Sequence, residues 1–105
     1  MKVEVFYFEG CPNHPPALER IKEVLQEERC NAEVREILVA DLQAAQSTNF
    51  LGSPTIRVNG IDIEPTARER GDFGLMCRRY PEGIPSHELI RTAVRAALVT
   101  GGGTR

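Results

Sequence analysis

A chain of 105 residues is long enough for one hydrophobic core and too short for two. Its 41% hydrophobic and 27% charged residues are ordinary for a globular chain, and a formal charge of −2 with a pI near 5.7 lacks the basic footprint of a nucleic-acid binder. No run nears the ~18 consecutive apolar residues of a membrane helix, and Met1-Lys2 leads directly into a strand containing Glu4 rather than into a signal peptide's basic-then-apolar order. The expectation is therefore one domain over residues 1–100 with a flexible tail at 101–105, in the cytoplasm, with neither nucleic acid nor membrane as partner.

Residues 3–8 (Val-Glu-Val-Phe-Tyr-Phe) are apolar at nearly every position, as in a central strand covered on both faces. Glu9-Gly10-Cys11-Pro12-Asn13-His14-Pro15-Pro16 breaks that run. Leu18, Ile21, Val24 and Leu25 then fall on one side of a helix that ends near residues 29–31. Because a residue before proline avoids the helical region, the first true turn is expected only at Pro15 or Pro16. Residues 33–39 form a second strand, parallel to the first across the helical crossover. Asp41 can cap a short helix through about Ser47. Asn59-Gly60, flanked by alternating runs at 55–58 and 61–64, predicts a hairpin, since both residues tolerate the positive φ of a type I′ turn. Residues 65–85 lose periodicity; a segment this long and irregular is usually functional or mobile. Ser86 caps a last helix with Leu89, Ile90, Ala93, Val94, Ala97 and Leu98 along its buried stripe.

In an open α/β sheet, chemistry collects where a strand's carboxyl end hands over to a helix, and Cys11 occupies that place. Amides at a helix mouth and the positive end of its dipole lower a thiol's pKa. With Pro12, Pro15 and Pro16 lacking N–H groups, the amides of Asn13 and His14 are the donors left for the sulfur. Cys11 is thus a candidate nucleophile, against the alternative of a small apolar filler. Cys77, in the long loop that should return to the same sheet end, sits beside Arg78 and Arg79, which favour a thiolate. It is the candidate resolving partner, or second soft-metal ligand, for Cys11; contact requires Cα atoms within about 7 Å. Cys30, at the far end of the first helix, reads as packing. His14 is open between a partner of the sulfur, an acid or base, a metal ligand and a solvent-facing residue, while His87 reads as surface. Arg57, Arg78 and Arg79 are candidate contacts for an anionic thiol such as glutathione, with a solvated strand as the alternative for Arg57. Arg68, Glu69, Arg70 and Asp72 read as exposed loop, and Phe73 and Tyr80 as anchors of that loop.

The order strand, helix, strand, helix, strand, strand, helix, with Phe8-Glu9-Gly10-Cys11-Pro12 at the first helix and Gly52-Ser53-Pro54-Thr55 at the hairpin, resembles the thioredoxin-like fold over essentially the whole chain. More narrowly, residues 50–60 together with Gly74-Leu75-Met76-Cys77-Arg78 are similar to small thioredoxin-like proteins, some containing selenocysteine and some carried with mercury-resistance genes. The resemblance implies a four-stranded mixed sheet with flanking helices. It also implies a cis Pro54 beside Cys11, and a Ser53 backbone offered to an extended substrate. Ser53, Pro54, Thr55 and Arg78 are then the expected substrate-binding positions, and Cys11, Cys77 and His14 the catalytic ones.

His14 stands where the family's second motif cysteine would be, so any disulfide cycle needs a thiol from elsewhere. Three function classes follow. The first is a thiol-based redox protein, a thiol-disulfide oxidoreductase or thiol-dependent reductase acting on a thiol, a disulfide, glutathione or a protein partner, with no cofactor. The second is a soft-metal or mercurial module clamping the ion between Cys11 and Cys77. The third is an interaction module that kept the fold and lost the chemistry.

Overall fold

The computed structural model describes residues 1–99; the tail expected over 101–105 lies outside the described residues. Four strands form one mixed sheet in the order β2-β1-β3-β4. β1 (Lys2–Tyr7) pairs in parallel with β2 (Glu33–Leu38) and antiparallel with β3 (Thr55–Val58), which pairs antiparallel with β4 (Ile61–Asp62). α1 (His14–Glu27) and α3 (His87–Ala97) cover one face and α2 (Leu42–Ser47) the other.

The alternation of β1 explains both cores. Val3 and Val5 point toward α1 and α3, where Ala17, Ile21, Val24, Ile90 and Val94 close a buried cluster with Ile56 and Val58. Phe6 points the other way and packs with Val39, Ala45 and Phe50 under α2. Each fully buried aliphatic side chain contributes about 1.5–3 kcal/mol, so a strand with both faces filled is the natural centre of the fold.

Local chemistry sets the boundaries. The Asp41 carboxylate accepts from the Ala44 amide (2.8 Å) and the Ser86 hydroxyl from the Leu89 amide (3.0 Å), so both expected caps form. Asn59 and Gly60 hold φ of 52° and 84°, as the hairpin turn requires. Beyond one-residue shifts at the ends of β1 and β2, three boundaries differ from the sequence expectation. α1 begins at His14, because Pro15 and Pro16 fall in its first turn, where a missing N–H costs no helical bond. It ends at Glu27, since Arg29 turns to φ 51°. β4 stops at Asp62, whose carboxylate accepts the Glu64 amide at 2.8 Å and draws the chain away from the ladder.

On the solvent side, α1 and α3 are laced together by Glu27–Arg91 (2.8 Å), Glu28–Arg95 (2.7 Å) and Glu23–His87 (3.0 Å), which gives the exposed His87 its partner. Exposed pairs of this kind add little each. Between Pro65 and Pro85 the only regular piece among the described residues is a 3-10 turn at Pro65–Ala67. From Gly74 to Tyr80 the chain is tied by hydrogen bonds to Phe50, Ser53 and Pro54, near the carboxyl end of β1.

Candidate functional site

β1 leaves the sheet at Phe8. Gly10, at φ 85°, turns the chain so that the Cys11 amide donates to the Phe8 carbonyl and the His14 amide to the Cys11 carbonyl, each at 3.3 Å. Cys11 therefore sits at the mouth of α1, as expected. It is only 5% exposed, however, and among the described residues its sulfur has no hydrogen-bond partner. The sequence expectation of an open nucleophile fed by the amides of Asn13 and His14 is corrected in two respects: the residue is buried, and the His14 amide donates to a carbonyl.

His14 faces neither the sulfur nor the solvent. Its ring lies flat on Tyr7, with centroids 3.8 Å apart and planes within 5°, and its side chain is 15% exposed. Nε2 is 2.8 Å from a Glu36 carboxylate oxygen. That separation suits an ion pair, but the direction is not that of a hydrogen bond, so the nitrogen has a charge neighbour without a directed donor or acceptor.

The second wall is Gly52-Ser53-Pro54-Thr55. Thr55 pairs with Phe6, so Ser53, two residues earlier, lies at the same sheet end as Phe8 and the turn carrying Cys11. The Ser53–Pro54 bond is cis, the form the resemblance implies. Met76-Cys77-Arg78 runs alongside as a short parallel bridge: the Ser53 amide donates to the Met76 carbonyl (2.8 Å) and the Arg78 amide to the Ser53 carbonyl (3.0 Å). The Ser53 backbone, expected to be free for a substrate, is thus occupied by the chain's own loop. Its hydroxyl is fully buried and without a hydrogen-bond partner. Gly52, at φ 115°, permits this approach, since a Cβ there would stand 3.0 Å from the Arg78 amide nitrogen.

Arg78 is the largest correction. Expected to meet a substrate anion, its side chain is 1% exposed and clamps Asp62 with two parallel bonds of 2.6 and 2.7 Å. It also donates to Glu64 (2.7 and 3.2 Å) and to the Thr55 hydroxyl (3.2 Å). Thr55 in turn donates to the Gly52 carbonyl at 2.6 Å, so it too is structural rather than substrate-facing. Tyr80 closes the knot: its hydroxyl donates to the Pro54 carbonyl (2.9 Å), and its ring lies 5.2 Å from the Arg78 guanidinium. Burial alone would push the Arg78 guanidinium down, but the Asp62 hydrogen bonds and charge hold it above its ordinary value. Burial pushes the Tyr80 phenol well up. The readable signal for this knot was the alternation Ile61-Asp62-Ile63-Glu64, which sets two carboxylates on one face. Nothing local names the arginine that answers them.

Cys77, held in the bridge, is exposed, and Arg79 beside it is exposed as well. Onward from Tyr80 the loop reaches Gly83, which backs onto the Asn13 side chain at the mouth of α1. Cys11 and Cys77 therefore belong to one end of the sheet, both as free thiols. Cys30 lies apart, its sulfur 3.5 Å from that of Met1 at the margin of the main core, the packing position expected of it. Arg57, for which a solvated strand was the alternative reading, is partly buried over the Phe6 ring at 4.4 Å. Among the described residues no group of three or more His, Cys, Asp or Glu side chains is arranged to hold a metal ion, and no helix is long and apolar enough to cross a membrane. Compared with protein-family models, with curated proteins and with solved structures, the chain matches none.

Proposed function

We propose that this chain is a thiol-based redox protein of thioredoxin-like topology, in which Cys11 and Cys77 act as a pair at the carboxyl end of β1. The observation that carries the reading is the Ser53–Cys77 bridge. It fixes the exposed thiol at the sheet end that holds the buried one, next to the Ser53–Pro54 peptide. The element order and the sheet order β2-β1-β3-β4 support the topology.

Exposure sets the order of events, reversing the roles expected from sequence. The Cys77 thiolate attacks a substrate disulfide, forming one new S–S bond while the other substrate sulfur leaves and takes a proton. The Cys11 thiolate then attacks the Cys77 sulfur and expels the first substrate sulfur as a thiol. The substrate disulfide ends as two thiols and the protein as a Cys11–Cys77 disulfide. A small thiol such as glutathione, itself oxidised to its disulfide, returns the protein to the dithiol. His14, paired with Glu36, is left out of these steps.

Mass mapping after treatment with oxidised glutathione tests the pair: an 11–77 disulfide is expected, and reduction of a model disulfide should be lost in both Cys11→Ser and Cys77→Ser. Two thiols that stay free under oxidant, or turnover indifferent to both substitutions, would overturn the reading. Tight Hg(II) retention requiring both cysteines, without disulfide turnover, would replace it with the soft-ion clamp.

A further inference from the structure

The face of the sheet under α2 carries a second feature, separate from the thiol end. A cleft of about 380 Å³ opens there, with Asn49, Leu51, Arg57, Ile61, Arg68 and Phe73 among its walls. None of Cys11, Ser53, Pro54 or Cys77 lines it.

Two guanidiniums in this cleft have no carboxylate in direct contact among the described residues. Arg70, also in its wall, is bound by both oxygens of Asp72 (2.6 and 2.9 Å), and the Asp62 carboxylate is bound by Arg78. Arg57 and Arg68 are held differently. Arg57 donates through one nitrogen to the carbonyls of Thr48 (2.7 Å) and Asn49 (2.9 Å), and Arg68 donates through Nε to the Asp62 carbonyl (2.9 Å). Carbonyls aim a guanidinium without neutralising it. Glu4, the cross-strand neighbour of Arg57, is paired with Lys2 at 3.9 Å and lies beyond ion-pair distance of Arg57. Arg57 is also half-buried, and burial pushes its guanidinium below its ordinary value. The charges of Asp62 and Glu4 oppose that shift from a distance, and the ring of Phe6 lies under the guanidinium, but among the described residues no carboxylate is in direct contact with it, which leaves a partly desolvated cation that an anion can complete. Nη1 and Nε of Arg57 and the two terminal nitrogens of Arg68 remain as donors, beside a wall formed by Phe73, Leu51 and the 55%-exposed Ile61.

We propose that this cleft binds a small organic anion, its carboxylate or phosphate held between Arg57 and Arg68 and its flat apolar body laid against Phe73, Leu51 and Ile61. Guanidinium forks match planar oxyanions, and a few placed polar groups over an apolar wall are the usual make-up of a small-molecule site. The site does not depend on the thiol chemistry proposed above, and its test leaves that chemistry untouched.

The full chain is titrated with benzoate, phenyl phosphate, inorganic phosphate and neutral benzamide, following the backbone amide resonances of Gly60, Ile61 and Phe73. Benzoate or phenyl phosphate should shift them saturably, more weakly as salt rises, and benzamide should not; the tighter of the two identifies the headgroup. Arg68→Gln, a loop substitution, should weaken binding by about tenfold or more, the loss expected of one charge-assisted contact, and Arg57→Gln should do the same if its thermal unfolding remains cooperative. No saturable shift, equal binding of benzamide, or unchanged affinity in Arg68→Gln would overturn the site. Inorganic phosphate binding as tightly as phenyl phosphate would overturn the apolar half of the assignment.

Discussion

Replacing Arg78 by methionine removes the centre of the knot while keeping an unbranched side chain in its place. Three groups lose a partner. Glu64, 23% exposed at its side chain, can turn to water and loses little, whereas Asp62, at 8%, cannot. Asp62 forfeits two bonds of 2.6 and 2.7 Å and keeps only the Glu64 amide at 2.8 Å, and the buried Thr55 hydroxyl loses its donor. Removing one partner of a buried ion pair costs about 3–5 kcal/mol, and the gain from burying the methionine puts the net near the lower end, about 3–4 kcal/mol. Against a total stability of about 5–15 kcal/mol this is a large share, and at about 4–8 °C per kcal/mol it lowers Tm by about 12–30 °C. Urea unfolding at pH 7, followed by circular dichroism, should show the midpoint falling with an unchanged slope. The double variant Arg78→Met with Asp62→Leu should recover at least about half of the loss, because a packed apolar pair needs no compensation for a stranded charge. A loss below about 1 kcal/mol in Arg78→Met is the behaviour of an exposed pair, and it would refute the claim that this arginine fastens the loop to the hairpin.

Other expectations follow from neighbouring contacts. Burial raises the Tyr80 phenol above its ordinary 10.0, so above that pH the unfolded chain gives up the proton first. Stability should be full below about pH 10 and decline above it by about 1.4 kcal/mol per pH unit; in Tyr80→Phe this component should vanish, with about 1 kcal/mol lost at neutral pH along with the bond to Pro54, and an identical alkaline slope in the variant counts against it. Gly52→Ala places a Cβ 3.0 Å from the Arg78 amide nitrogen at φ 115°, so denaturant unfolding should show a loss of about 1–3 kcal/mol; an unmoved midpoint would mean that the bridge to Cys77 gives way freely. Iodoacetamide should label the exposed Cys77 before the 5%-exposed Cys11, by about an order of magnitude or more if Cys11 reacts only through local opening; peptide mapping that finds equal rates would dismiss the order of attack proposed here. Ser86→Ala, which deletes the hydroxyl cap on the Leu89 amide, should cost about 1 kcal/mol, read from the same unfolding curves.

What the amino-acid sequence decided by itself is what a few neighbouring residues can decide. The apolar run from Val3 to Phe8, the caps at Asp41 and Ser86, and the Asn59-Gly60 turn each act within a few residues; the run became a central strand over Lys2–Tyr7, and the caps and the turn formed as read. They yield the strands, the helices and the sheet end at which a cysteine closes β1. Tertiary structure alone decided which side chains at that end are available. Arg78 is joined to Asp62 across 16 residues and to Thr55 across 23, His14 is laid on Tyr7 and drawn to Glu36, and Ser53 is paired by the returning loop. An arginine between two loop residues reads alike whether it faces solvent or a buried carboxylate, because the energy that separates the two outcomes, desolvation set against a charged partner, depends on a neighbour the local sequence does not name. For the same reason, Cys11 was placed by its sequence and covered by its fold.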